Sequence, residues 1–412
     1  MTTASDVIVV GAGLAGLSAA TRLHRTGVRV IVLEADDDVG GRVRTDEVDG
    51  FRLDRGFQVL LPAYPAVRRL ITEDDLQLRK FTRGTIATLP DGHRWLAGPW
   101  HGLPAIRGLA QFAMHHPGDA LRMTRLVLRD ALAPNSVVRK DAQRTTAEEF
   151  MRWGLSASTI EEVLRPFLAG VFLDPALNTS SRLFHLLWRS FLRGGGALPA
   201  HGMQTLPRSL AAGLPTETIR TGITVDEVTD GGVRTSSGEH LTANAVIVAT
   251  DGDAASRLLP GIEAPEWHAV TTFYYRADTA PLRSPTLLLD GTTDLLLNTA
   301  VISEIAPEYA PEGSSLIAAS VPGRSDVHLE ARVRERLTRI YRTDTSEWEL
   351  LHAYAVPRAL PVFPAGAPLR RPVRVSDGRY VCGDHRDTPS IQGALVSGQR
   401  AARAVLADLP GR

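Results

Sequence analysis

The residues that could do chemistry begin with three glycines. Gly11, Gly13 and Gly16 form a G-x-G-x-x-G pattern, the spacing that lets a backbone approach a pyrophosphate. The three do different things. Gly11 permits the tight turn, Gly13 admits the pyrophosphate, and Gly16 lets a helix pack closely on a strand. Leu14 and Ala15 open that helix, where free N–H groups and the helix dipole favour an anion. Glu34, followed by Ala35, ends the next apolar run and is placed to accept hydrogen bonds from the adenosine ribose. Gly40-Gly41-Arg42 adds flexible backbone and a fork of donors suited to phosphate. Near the other end, Gly383-Asp384 precedes a small-residue helix beginning around Ile391 and Ala394, a second helix start suited to an anion or dipole. These residues are the parts of a dinucleotide site.

The elements that must position them are legible around them. Val7–Val10 reads as a strand buried on both faces, and Leu14, Leu17, Ala20 and Leu23 share one helical face. Gly27 stops that helix and Val28–Leu33 is the second strand. Between Ile219 and Thr250 the pattern is strand, turn, strand, turn, strand. Its turns fall at Asp230-Gly-Gly232 and Ser237-Gly238, and Ala245–Ala249 closes it as a buried strand. Tyr380-Val-Cys382 is a further apolar strand running into Gly383. The fold class expected is α/β, Rossmann-type, on a parallel sheet.

Composition removes other classes. The 412 residues imply two to three domains at about 150 residues each. Forty-six basic residues balance forty-six acidic ones, so the basic surplus a nucleic-acid binder needs is missing. The single cysteine, Cys382, excludes a disulfide scaffold and any multi-cysteine metal site, and fits a reducing compartment. No triad, metal cluster or carboxylate pair stands out, and His115-His116 read as surface residues. No metal is expected. Only Lys80 and Lys140 are lysines; every other cation is arginine. No apolar run reaches the roughly 18 residues needed to span a bilayer. Met1–Asp6 carries no positive charge ahead of Val7–Val10, so a cytoplasmic, soluble protein without a signal peptide is expected.

The run from Gly11 through Gly40-Gly41-Arg42 to Asp54-x-Gly56, continuing into Phe57 and Gln58, resembles the opening of the flavin amine oxidase superfamily. That group includes monoamine and polyamine oxidases, protoporphyrinogen oxidase, and phytoene- and squalene-type desaturases. The resemblance implies FAD. Gly-Gly-Arg would wrap its pyrophosphate, and Gly56, Phe57 and Gln58 would run beside the flavin. Val225 would meet the adenine through its backbone, at the edge of a segment closed by Ala249. Asp384 would contact the pyrophosphate–ribityl region, and the N–H at Ile391, one turn before Ala394, would face the flavin O2. The relatives' covalent cysteine corresponds here to about Arg358, so Cys382 is read as a buried small residue and the FAD as non-covalent. A discontinuous FAD-binding domain (1–80, 205–262, 366–412) would alternate with a discontinuous α+β substrate domain (81–204, 263–365).

The insert 81–204 reads as largely helical. In it, Leu121, Leu128 and Leu132 form a stripe with Arg122, Arg125 and Arg129 off it. This is either a cap with a solvated basic face or a face resting on an anionic membrane, so peripheral membrane contact is one expectation. Pro166–Pro175 with Ser180-Ser181 resembles a substrate-domain stretch of protoporphyrinogen oxidases and carotenoid-type desaturases. Pocket candidates are Phe273 and Tyr275 on a β-branched, aromatic strand, Tyr354 and Arg358 on a proline-fixed extended path, and Ser390. Amine oxidases of the superfamily hold two aromatic rings before the flavin and a lysine nearby. The matching positions are near Ala359, Ser390 and Val270–Thr272, and none carries those residues. The reading is therefore hydride removal from carbon in an apolar substrate, desaturase- or protoporphyrinogen-oxidase-like. Amine oxidation, double-bond isomerisation and a non-catalytic flavin scaffold stand as alternatives. No second G-x-G-x-x-G is present, so oxygen, a quinone or another carrier would take the electrons.

Overall fold

The computed structural model describes residues 5–89, 92–97, 103–134, 138, 142–293, 295–323 and 328–409, so Met1–Ala4 and Lys140 lie outside the described residues. Strand Ser5–Val10 occupies the middle of an eight-stranded sheet. Its apolar run pairs in parallel with Val30–Leu33 on one side and with His240–Val248 on the other. Ile219–Arg220 and Arg379–Val381 extend the parallel part at its two flanks. Val7, Ile8 and Val9 are fully buried, which explains an uninterrupted apolar sequence instead of an alternating one. Val225–Thr229 and Gly232–Thr235 form an antiparallel hairpin continuing from the outer half of His240–Val248.

Helix Leu14–Arg25 covers this sheet and packs against helix Ile391–Asp408. Two glycines make these contacts possible. A Cβ at Gly16 would overlap the Gly11 carbonyl oxygen, and one at Gly398 would overlap the carbonyl of Ala15. The Ser18 hydroxyl donates to the Leu395 carbonyl (2.9 Å) and the Gln399 amide to the Ser18 carbonyl (2.7 Å), which fixes the pair in register.

A second sheet of seven strands runs in the order Glu349–Pro361, Trp267–Ala277, Ser315–Pro322, Asn298–Val301, Leu287–Asp290, Gly84–Leu89, Gly92–Ala97. All its pairings are antiparallel except Leu287–Asp290 with Gly84–Leu89. Helix Leu329–Tyr341 covers one face, burying Phe273, Tyr275, Ile317, Val333 and Leu337. The insert expected to be largely helical thus begins with a hairpin, Gly84–Leu89 with Gly92–Ala97, which joins this sheet. Helices Leu103–His115, Pro117–Leu132, Thr146–Arg152, Arg165–Phe172 and Ser181–Gly194 follow it. Thr145 starts the third of these with a reciprocal capping box to Glu148. Among the described residues no helix is long and apolar enough to cross a membrane.

Candidate functional site

The carboxyl ends of three parallel strands deliver Gly11, Glu34 and Ala249 to one crevice, and the loop after Arg379–Val381 brings Gly383 there. This is where open α/β sheets bind ligands. The crevice belongs to a cavity of about 1740 Å³. Gly11 adopts φ +103°, a conformation that a side chain would strain. A Cβ at Gly13 would meet nothing nearer than the Gly40 carbonyl oxygen at 4.0 Å, so the turn leaves room for a group lying against its backbone. The Gly40 amide donates to the Ala12 carbonyl (3.0 Å), laying the Gly40-Gly41 loop on the glycine turn. The buried Glu34 carboxylate accepts from the amides of Ala12 (2.6 Å) and Asp36 (3.0 Å), which holds it at the cavity wall beside Ala35.

Arg42 crosses from this loop to the carboxyl-terminal segment. Its guanidinium donates to Asp384 Oδ1 (2.6 Å) and to the Ala359 carbonyl (3.0 Å), and lies over the Trp267 ring. The Gln58 amide donates to the Arg42 carbonyl (2.7 Å), tying Gly56, Phe57 and Gln58 to the same loop. Beneath them Asp54 is buried, accepting from the Thr45 hydroxyl (2.6 Å), the Met203 amide (2.9 Å) and the Tyr309 hydroxyl (3.0 Å). Burial raises its carboxyl pKa to about 6 against those hydrogen bonds. Helix Ile391–Asp408 starts at the cavity wall, where Ile391 and Ala394 lie, and the Ser390 hydroxyl caps it by accepting from the Gly393 amide (3.1 Å).

The rest of the cavity has a different character. Helices supply Phe112, Met123, Val127, Phe167, Trp188 and Phe191, and the seven-stranded sheet supplies Val270, Leu287, Val356 and Leu360. Polar groups there are few, among them Arg83, Thr85, Asn298 and Ser320. A glycine-lined crevice with a helix start at each side opens into an apolar chamber.

Residues 14–406 match the family described as flavin containing amine oxidoreductase. The chain belongs to this family. As a member it is a flavin-containing oxidoreductase. A putative flavin-containing monoamine oxidase of Mycobacterium tuberculosis is 50% identical over 68 residues, covering 16% of this chain and 15% of that protein. The chain thus spans a small part of that relative's length. A 15-cis-phytoene desaturase of Narcissus pseudonarcissus is 26% identical over 98% of this chain and 80% of its own. In fold, an oxidoreductase from Methanosarcina mazei superposes with a TM-score of 0.77 at 17% identity, over 96% of this chain and 99% of that one.

Within this flavin oxidoreductase the structure brings Gly11, Gly13, Leu14, Ala15, Glu34, Ala35, Gly40, Gly41 and Arg42 to the cavity wall. Gly56, Phe57, Gln58, Val225, Ala249, Gly383, Asp384, Ile391 and Ala394 join them there. Gly16 lies behind the wall, in the helix–strand contact described above. Cys382 is fully buried off the cavity, its thiol pushed up to about 12 by burial, so it stays a neutral, inert side chain.

The pocket candidates fare differently. Phe273 and Tyr275 point to the opposite face of their strand, under helix Leu329–Tyr341. The strand's cavity-side neighbours are Val270 on the wall itself and Thr272, which accepts from the Phe57 amide (3.1 Å). A one-residue error of phase moves every side chain across a sheet. Tyr354 lies beyond the cavity, where the hairpin Thr45–Val48 and Phe51–Asp54 covers the sheet: its hydroxyl donates to Asp46 (2.7 Å) and its ring meets Tyr274 edge-on. Arg358 is half exposed and paired with Asp251 (3.0 Å) and Asp253 (2.8 Å). Ser390 does reach the wall, but its hydroxyl is committed to the helix cap. Apolar neighbours on the same path, Val356, Ala359 and Leu360, line the cavity instead. Trp188 and Phe191 are wall residues that sequence reasoning missed, although the i, i+3, i+4 apolar stripe of helix Ser181–Gly194 points to them.

Proposed function

We propose that this oxidoreductase dehydrogenates carbon in a largely apolar organic substrate, with FAD held non-covalently. When bound, FAD supplies the hydride acceptor at N5; the protein supplies binding, orientation and electrostatics. In this reading Gly11, Gly13 and Gly16 are a Rossmann-type fingerprint, with Arg42 and Asp384 beside the pyrophosphate. Residues 1–80, 205–262 and 366–412 form the cofactor domain, and residues 81–204 and 263–365 the substrate domain.

The observation that carries the proposal is the wall of the apolar chamber. Trp188, Phe191, Phe167, Val270 and Val356 exclude water and offer dispersion contacts to a hydrocarbon surface. The two positions that superfamily resemblance assigns to an amine-steering aromatic pair, Ala359 and Ser390, are both on this wall, and neither bears a ring. Asn298 and Ser320 are polar groups able to orient a substrate, Ser320 being held by the Thr272 hydroxyl at 3.1 Å. Alignment with a 15-cis-phytoene desaturase over 98% of the chain supports the same reaction class.

Anaerobic mixing of the holoprotein with polyisoprenoids and porphyrinogens, and separately with amines, tests the proposal through the visible flavin band. Bleaching by the apolar panel alone is expected. Bleaching by amines overturns it in favour of carbon–nitrogen oxidation. Silence with both panels, followed by product analysis, turns the reading to redox-neutral isomerisation or to a non-catalytic flavin scaffold.

A further inference from the structure

The helices Leu103–His115 and Pro117–Leu132 expose an unusual surface. Leu103, Met114 and Leu132 are 68, 71 and 76% exposed, and Ile106, Leu121 and Leu128 are about half exposed. Among the described residues, Met151 and Leu350 are the only strongly exposed large apolar side chains outside this helix pair. Concentration of this kind marks an interaction surface, since scattered single residues are the norm.

Its charge narrows the partner. Across residues 103–134 the acids are Asp119 and Asp130, and both are buried. Asp119 accepts from the Ser156 amide (3.1 Å) and the Thr159 hydroxyl (2.7 Å) and pairs with Arg122 (3.1 Å). Asp130 pairs with His185 (2.7 Å) and Arg129 (3.1 Å). Arg107 and Arg125 are exposed and have no ion pair among the described residues. The solvent-facing side of the helix pair therefore carries hydrocarbon and positive charge, with its carboxylates withdrawn. Apolar side chains entering an acyl boundary, with arginines reaching back to headgroups, is the chemistry of an anionic lipid surface.

The same helices form one wall of the apolar chamber. Leu109 and Leu128 are partly exposed and also line the cavity, together with Phe112, Met123 and Val127. We propose that this helix pair docks the enzyme on the surface of an anionic bilayer, without crossing it, so that the chamber opens toward the acyl region. The passage of substrate from the bilayer rests on the apolar-substrate reading above; the docking does not.

Flotation of the FAD-loaded protein with phosphatidylcholine vesicles, with and without phosphatidylglycerol, tests the docking directly. Binding to the phosphatidylglycerol vesicles is expected, weaker on phosphatidylcholine alone and reduced by salt. The triple variant M114E/L121E/L132E, at positions outside the cavity wall, should abolish flotation and keep the yellow flavin band and its reduction by a detergent-dispersed substrate. R107A and R125A should each lower the partition coefficient about fivefold on the anionic vesicles only. No flotation, flotation independent of phosphatidylglycerol, or unchanged flotation of the triple variant overturns the proposal. So does a wild-type dimer in sedimentation that the triple variant breaks, because the face would then be a contact between copies. No substrate enters the flotation, so its failure leaves the proposed reaction standing, and a failed bleaching experiment leaves the docking standing.

Discussion

The Arg42 guanidinium meets the Asp384 carboxylate at 2.6 Å, joining loops 342 residues apart in sequence at the edge of the glycine-lined crevice. Asp384 is almost wholly buried, and about a third of the Arg42 side chain stays open. Replacing Arg42 with methionine therefore leaves a buried carboxylate without its partner. The expected cost is about 2 kcal/mol, below that of breaking a fully buried pair because Arg42 is partly solvated. The denaturation midpoint should fall together with the flavin-to-protein ratio, and D384N combined with the Arg42 change should recover stability without recovering flavin. Recovery of both would place the pair outside the cofactor's reach.

Two glycines of one motif should fail in different ways. Gly13→Val adds atoms on the side where only open crevice lies, so the protein should fold with an ordinary melting temperature and purify colourless. Gly16→Val drives atoms into the Gly11 carbonyl and should cost stability first, in the apoprotein as well. Comparison of apoprotein melting for the two variants separates these outcomes; equal destabilisation would refute the division of roles.

Phe191 lines the apolar chamber from helix Ser181–Gly194. Phe191→Ala should raise KM for an apolar substrate by about tenfold, from lost hydrophobic contact, and leave FAD content unchanged. Ser390→Ala, by contrast, removes a helix cap and should cost about 1 kcal/mol in stability. Steady-state kinetics with thermal melts on both variants check the contrast.

His185 is fully buried between Asp130 (2.7 Å) and Glu149 (3.5 Å), tying helix Pro117–Leu132 to helix Ser181–Gly194. Burial alone would lower its pKa, but hydrogen bonds to both carboxylates outweigh burial and hold it above the ordinary histidine value. The folded state thus binds this proton more tightly than the unfolded chain. The stabilisation is complete below the unfolded value, near 6.5, and fades as pH rises through the folded one. Melting temperatures measured from pH 6 to 9 should fall more steeply in the wild type than in H185Q; parallel profiles would refute the assignment.

How much could be read in advance divides along the cavity. The glycine-lined half was legible because close backbone approach is written in short local runs: Gly11–Gly16, Gly40–Arg42 and Gly56–Gln58 each carry their own reason. The apolar half was not. Val270, Asn298, Ser320 and Val356 converge only through strand pairing, and nothing local announces which face of Trp267–Ala277 will look inward. Choosing polar or aromatic residues there favoured Tyr354, Arg358, Phe273 and Tyr275, whose partners lie elsewhere. The hairpin opening the insert escaped for the same reason, since its first strand gains its place from a parallel neighbour about two hundred residues away, Leu287–Asp290.

The packing of helix Leu14–Arg25 against Ile391–Asp408 has a consequence for biosynthesis. The glycine turn leaves the ribosome well before Gly383, Asp384 and the capped helix that complete the crevice. A nascent chain carries only half a cradle until translation has passed Ala394. The crevice is therefore whole only once these two remote segments have found each other, and a chain halted short of Gly383 would present its glycine turn alone.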